Sequence, residues 1–181
     1  IISAEVGFRK QYDKRFTLDI SAYINEYDNL IQYVNIGGGI YGPFQVQNIA
    51  KAQIKGLEFL IDYTSKINII KEPLGYGFSV NYSLIDAIDL SPNRKDDYLP
   101  YKPMHILNFS TDLAWFGFKL NFSGKYQSGI DEDLFYKYEE PDEYFIMDIK
   151  ISKRLFDKVT IFAAANNLLN ASYQELERTQ A

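Results

Sequence analysis

Catalysis and metal binding need side chains that converge, and this sequence offers few. Its one histidine, His105, follows Pro103-Met. A lone imidazole cannot build a His-rich zinc or iron site, so it reads as a locally hydrogen-bonded residue at a loop base, against a role in gripping haem or a metal chelate. Cysteine is absent, which removes disulfides and thiolate chemistry together. Gly37-Gly-Gly39 lacks the following Lys-Ser/Thr and the strand-to-helix context of a phosphate loop, and marks a loop tip instead. Carboxylates gather in two stretches: Asp86, Asp89, Asp96 and Asp97, then Asp131, Glu132, Asp133, Glu139, Glu140, Asp142 and Glu143. Such groups can hold Ca²⁺ or move protons, but their spacing matches no calcium loop, and solvated surface is the simpler reading. No catalytic residue, metal ligand or cofactor is therefore assigned, and an enzyme is not expected. Tyr41, Phe44, Tyr98, Tyr136 and Tyr138 have the better claim to binding, because ring faces and hydroxyls together grip flat, partly apolar ligands.

These residues fall between segments that alternate apolar and polar side chains. In a strand successive side chains point to opposite faces. Phe16, Leu18, Ile20, Ala22 and Ile24 then share one face, and Thr17, Asp19, Ser21, Tyr23 and Asn25 the other. A helix would scatter both sets. The same parity recurs along the chain and predicts eight strands, near 2–12, 16–27, 48–63, 75–86, 105–115, 118–127, 143–153 and 159–166. One face carries sets such as Ala4, Val6, Phe8; Leu57, Phe59, Ile61; Phe78, Val80, Tyr82, Leu84; and Phe145, Met147, Ile149, Ile151. The other carries Glu5, Arg9, Glu58, Asp62, Asn81, Asp112, Lys119, Asp148 and Lys150. Charges repeated on one face need water, so that face is expected to border a wet lumen.

Apolar runs such as Ile161-Phe-Ala-Ala-Ala165 fall far short of the roughly 20 residues a spanning helix needs. A bilayer crossing would use strands closed into a barrel. Connections alternate as short (13–15), long (28–47), medium (64–74), long (87–104), short (116–117), long (128–142) and short (154–158). Outer-membrane barrels have short periplasmic turns and long extracellular loops, which orients the first strand downward. Tyr12, Phe16, Tyr63, Tyr76, Trp115 and Phe118 lie on the apolar parity beside the short or medium turns, as a periplasmic girdle would, with Tyr126 and Phe145 near the opposite end. A soluble β-sandwich also alternates, but it does not require loop asymmetry or aromatics at strand ends on one parity. The formal charge of −5 is spread along the chain without a basic block, which excludes nucleic acid as an expected partner.

Three stretches resemble the C-terminal barrel of TonB-dependent outer-membrane receptors: Ala22-Tyr-Ile-Asn-Glu-Tyr-Asp-Asn-Leu-Ile31; Asn48-Ile-Ala-Lys-Ala-Gln-Ile-Lys-Gly56-Leu-Glu58; and Ala165-Asn-Asn-Leu-Leu-Asn-Ala-Ser-Tyr173-Gln. Asn81-Tyr-Ser83 and Pro100-Tyr-Lys-Pro103-Met-His105 add support. Beside the likeness stand physical roles. Gly56 inside a strand marks a bulge or a close backbone approach, and Asn166, Asn167 and Asn170 suit a turn that needs left-handed backbone.

The resemblance implies a barrel of about 22 strands around a plugged lumen. Residues 1–181 would then be the C-terminal portion of that barrel, an all-β, antiparallel transmembrane fragment of about eight strands forming an open curved sheet, with its closing strand and the plug missing. It further implies a bacterial outer-membrane receptor-transporter for energy-coupled uptake of a scarce nutrient of the siderophore-iron, haem or cobalamin class. Implied partners are outer-membrane lipid, a small-molecule ligand bound by the loop aromatics, and a periplasmic energy-coupling protein reached through the N-terminal region. The full-length protein would be a monomer. The alternative is a small eight-stranded outer-membrane barrel, structural or adhesive, since eight strands can close.

Overall fold

A computed structural model describes residues 1–35, 43–91, 98–99, 102–130, 143–156 and 158–173, except the side chains of 29, 30, 32–35, 44 and 47–50. The strands are β1 (Ile2–Tyr12), β2 (Phe16–Asn35), β3 (Phe44–Ile69), β4 (Glu72–Asp89), β5 (His105–Trp115), β6 (Phe118–Ser128), β7 (Tyr144–Leu155) and β8 (Val159–Ala165). They form one antiparallel sheet in the order β1-β2-β3-β4-β5-β6-β7-β8. Each strand pairs only with its neighbours in sequence, and β1 and β8 do not meet among the described residues. A closed eight-stranded barrel needs that contact, so the sheet is open.

Register fixes the two faces. One row across the sheet reads Phe8, Ile20, Phe59, Tyr82, Leu107, Tyr126, Phe145. The polar face carries the row Gln11, Thr17, Asp62, Ser79, Ser110, Ser123, Asp148. Because the side-chain period is two, a slip of one residue would exchange the two environments, so the alternation itself holds the register. Aromatic neighbours tie strands together on the apolar face: Phe109 lies 5.9 Å from Phe122 and 6.1 Å from Phe145, and Tyr63 lies 5.6 Å from Phe78. On the polar face the carboxylate of Asp19 accepts from Arg9 Nε at 2.6 Å, and that of Asp112 from Asn121 Nδ2 at 3.0 Å.

Short turns lie at one end and long connections at the other, as expected, but the limits of β2, β3 and β4 differ, and so does the character of the polar face. The connection predicted over 64–74 is a two-residue hairpin loop, Ile70-Lys71, with both residues at positive φ, 52° and 63°. Such a turn usually takes Asn-Gly, so Ile-Lys gave no signal for it. Residues 65–74 project below the neighbouring strands, since β2 begins at Phe16 opposite Tyr63 and β5 ends near Ala114 opposite Gly75. Pro73 stands on this projection beyond the last β4–β5 pair, where its missing N–H removes no ladder bond. At the opposite end β2 and β3 run to Asn35 and from Phe44, well past the expected limits near 27 and 48, and form a ribbon above β1 and β4. Finally, the polar face is not uniformly wet: Phe162 is exposed on it, and an apolar cluster covers it at the long-connection end.

Glycine serves where a ring needs space. A Cβ on Gly56 would sit 2.3 Å from the Tyr23 ring, and one on Gly124 would sit 2.4 Å from the Phe109 ring. The expected close approach at Gly56 is therefore Tyr23 on the polar face. Pairing runs unbroken through Gly56, so no bulge forms there.

Candidate functional site at the long-connection end

Above Ile24 the apolar parity turns polar. Lys55 stands opposite Ile24 and Asp86, and Gln53 Nε2 donates to Glu26 Oε1 at 3.0 Å. This charged edge ends the apolar band on β2 to β4. On the other face, at the same level, the side chains become apolar: Ala52, Ala87 and Leu99 are buried together, with Tyr27, Ile54 and Ile85 packed against them.

Leu99 reaches this cluster because the returning connection lies along β4. Ile88 and Tyr98 form a bridge, Leu99 N–H donates to Ala87 O at 2.9 Å, and Ile85 N–H donates to Met104 O at 2.8 Å. Met104 N–H in turn donates to Gly129 O at 3.0 Å, where positive φ suits glycine. Leu99 and Met104 thus spend backbone groups in ladder-like bonds, which lets them pack against the sheet without stranding those groups. Beside it is a hollow of about 310 Å³ lined by Ile85, Ala87, Tyr98, Leu99, Lys102 and Met104, with Gly129 and Ile130. An aromatic hydroxyl, an ammonium group and apolar walls meet there, a combination suited to a partly apolar ligand with an anionic or hydrogen-bonding edge.

Of the predicted binding residues, Tyr98 lies at this hollow and is about half exposed. Phe44 opens β3 opposite Asn35, and its side chain lies outside the described residues, as do Tyr41, Tyr136 and Tyr138 entirely. Sequence reasoning missed Leu99, Tyr27 and Lys102. An apolar residue before Pro100 inside a polar connection was the available signal for Leu99.

A second aromatic group stands on the polar face of β7. Tyr144 is buried, donates to Gln127 Oε1 at 2.9 Å, and lies 5.1 Å from Tyr173, with Lys125 Nζ 5.7 Å from its ring centroid. Tyr173 is carried there by the turn after β8, in which Asn167 and Asn170 take positive φ as expected and Asn166 does not. Asn167 N–H donates to Asp148 Oδ1 at 2.8 Å, and the Asn167 side chain bonds both the N–H and the C=O of Ala171. His105 Nδ1 lies 2.8 Å from Tyr82 Oη on the neighbouring strand, and the two rings stack. Among the described residues no three His, Cys, Asp or Glu side chains are placed to hold a metal ion.

An open antiparallel sheet with one apolar and one polar face, short turns at one end and a built-up aromatic rim at the other, defines a segment of outer-membrane barrel wall. The family described as TonB dependent receptor-like, beta-barrel, matches residues 1–168, and the chain belongs to it. That family resides in the bacterial outer membrane and comprises transporters, not enzymes. Among curated proteins the chain is similar to the vitamin B12 transporter BtuB of Vibrio vulnificus (strain YJ016), 24% identical over 172 residues, or 95% of this chain and 25% of the transporter. The chain thus spans a quarter of that relative's length.

Proposed function

We propose that this chain forms part of the wall and capture surface of a receptor-transporter that takes up a scarce nutrient of the siderophore-iron, haem or cobalamin class. Family membership over residues 1–168 carries the reading. The likeness to a vitamin B12 transporter supports the cobalamin class among the three. In this reading residues 1–181 are a C-terminal portion of the barrel, and a plug and an energy-coupling segment lie elsewhere in the protein. The apolar face contacts outer-membrane lipid, the polar face lines the lumen, and the full-length protein works as a monomer coupled to a periplasmic partner.

The hollow beside Tyr98 makes the ligand side concrete. Tyr98 and Lys102 would supply polar contacts and Leu99 and Met104 apolar ones, with Tyr41, Phe44, Tyr136 and Tyr138 as further proposed ligand contacts. Deleting the full-length gene and growing cells on cobalamin, haem or ferric chelate as the limiting source tests the reading. Loss of growth on one source, restored by the wild-type gene and only at about tenfold higher ligand by Tyr98→Ala, is expected, since one lost contact of about 1.4 kcal/mol is tenfold in affinity. Unimpaired growth of the deletion strain on all three would contradict it.

A further inference from the structure

The apolar face of β7 ends in a cation. Going toward the short turns it reads Phe145, Met147, Ile149, Ile151 and then Lys153, paired across the sheet with Phe118 and Ile161. Lys153 Nζ lies 3.9 Å above the Phe118 ring centroid and donates to the carbonyl of Phe116. The Trp115 and Phe116 rings are 4.7 Å apart. Backbone fixes this arrangement, because Arg154 N–H donates to Gly117 O at 3.1 Å and so ties the β5–β6 turn to β7. An ammonium group has three donors. Among the described residues it engages one carbonyl and lies over one ring, which leaves donor capacity for an outside acceptor.

The hairpin tips nearby carry a second signal. Phe116 and Phe156 occupy left-handed backbone at φ 48° and 50°, and are 49% and 90% exposed. That conformation is strained for an ordinary residue, and Asn or Gly would fill it more cheaply. Exposed phenyl rings at a strained tip, beside an apolar column that ends in a positive charge, complement an amphiphile with hydrocarbon tails and an anionic head.

We propose that Lys153, with Phe118 and the turn around Phe116, binds the phosphate of a phospholipid in the leaflet facing the short turns, while Ile149 and Ile151 take an acyl chain. Charge complementarity and continuity with the apolar face select this occupant. Phosphate accepts charge-assisted hydrogen bonds from an ammonium group, and the ring beneath holds the ammonium in place. The site rests on the reading of the apolar face as lipid-facing, and is independent of which nutrient is carried.

Native mass spectrometry of the full-length receptor in mild detergent, supplied with phosphatidylglycerol, tests it. Wild type and Lys153→Arg should retain the lipid. Lys153→Gln should lose about fivefold in retained lipid, the loss of about 1 kcal/mol, while Lys150→Gln on the polar face should lose none. Millimolar inorganic phosphate should not displace the lipid, because it lacks tails. Should Lys153→Gln fail to assemble, Phe118→Leu is expected to lower retention about twofold to threefold. Undiminished retention in the assembled variants, or displacement by inorganic phosphate, overturns the proposal. Normal assembly of Ile20→Arg would instead overturn the lipid-facing reading on which it rests, so the two failures are distinguishable.

Discussion

Strand β2 presents two regions that share one backbone and little else. Phe16, Leu18, Ile20, Ala22 and Ile24 look one way, while Thr17, Asp19, Ser21, Tyr23 and Asn25 look the other. Both sets are regularly paired across β1 and β3, so hydrogen bonding does not separate them. The surroundings do. A charge on one parity meets water and polar partners, as Asp19 meets Arg9. A charge on the other parity is tolerated where the band ends, as at Lys55 and Lys153, or where a long stem lets it reach an interface, as Lys10 can beside Tyr12.

Moving a charge between the faces should have the greatest consequence. Ile20→Arg should block assembly of the full-length barrel, at a cost of about 2–4 kcal/mol for a site near the bilayer midplane, whereas Ser21→Arg should assemble. Heat-modifiable gel migration reads both, and equal assembly of the two would remove the distinction between the faces. Packing, by contrast, should not depend on which face it occupies. Gly56→Val on the polar face and Gly124→Val on the apolar face each place a Cβ inside an aromatic ring, and each should lower stability by about 1–3 kcal/mol. Denaturant midpoints of the full-length protein in detergent measure the loss. Tyr23→Ser should relieve the first and Phe109→Ala the second, while the crossed combinations should relieve neither.

A smaller effect, of opposite sign, is expected at the projecting β3–β4 hairpin. Ile70→Asn removes a branched side chain from left-handed backbone and should raise the same midpoint by the equivalent of about 1 kcal/mol. An unchanged or lower midpoint would show that Ile70 makes a contact that offsets its strain. Smallest of all, Asp19→Asn breaks the exposed pair with Arg9 and should cost less than about 1 kcal/mol, shrinking further at high salt. A loss of several kcal/mol there would mean that the polar face is drier than the account allows.

Strand number, pairing order and face parity were legible because alternation repeats over eight strands, and each repeat constrains its neighbours. The Asn-rich turn after β8 was legible because Asn167 and Asn170 have the side chain that left-handed backbone favours. Strand ends were not. Ile70-Lys71 turns without turn chemistry, so the residues themselves do not mark the hairpin between β3 and β4. The upper ribbon of β2 and β3 lies where the apolar parity has already become polar at Lys55 and Gln53, so the alternation that marks a strand fades before the pairing does. The candidate site was legible only as aromatics in connections. Tyr98 was among them, but Leu99, Tyr27 and Lys102 join it through the pairing of Tyr98, Leu99 and Met104 with β4, a tertiary event that no local pattern encodes.

Site-directed spin labelling along β2 reads out whether one face of this sheet meets lipid and the other water. Because this chain contains no cysteine, single cysteines at positions 17 to 24, in a full-length background without other thiols, give one label each. In reconstituted bilayers, collision with oxygen should peak at Leu18, Ile20, Ala22 and Ile24, and collision with a water-soluble nickel complex at Thr17, Asp19, Ser21 and Tyr23. Two accessibilities alternating out of phase with period two is the expected result. Accessibilities that vary together, or an alternation with the phases exchanged, would contradict the account.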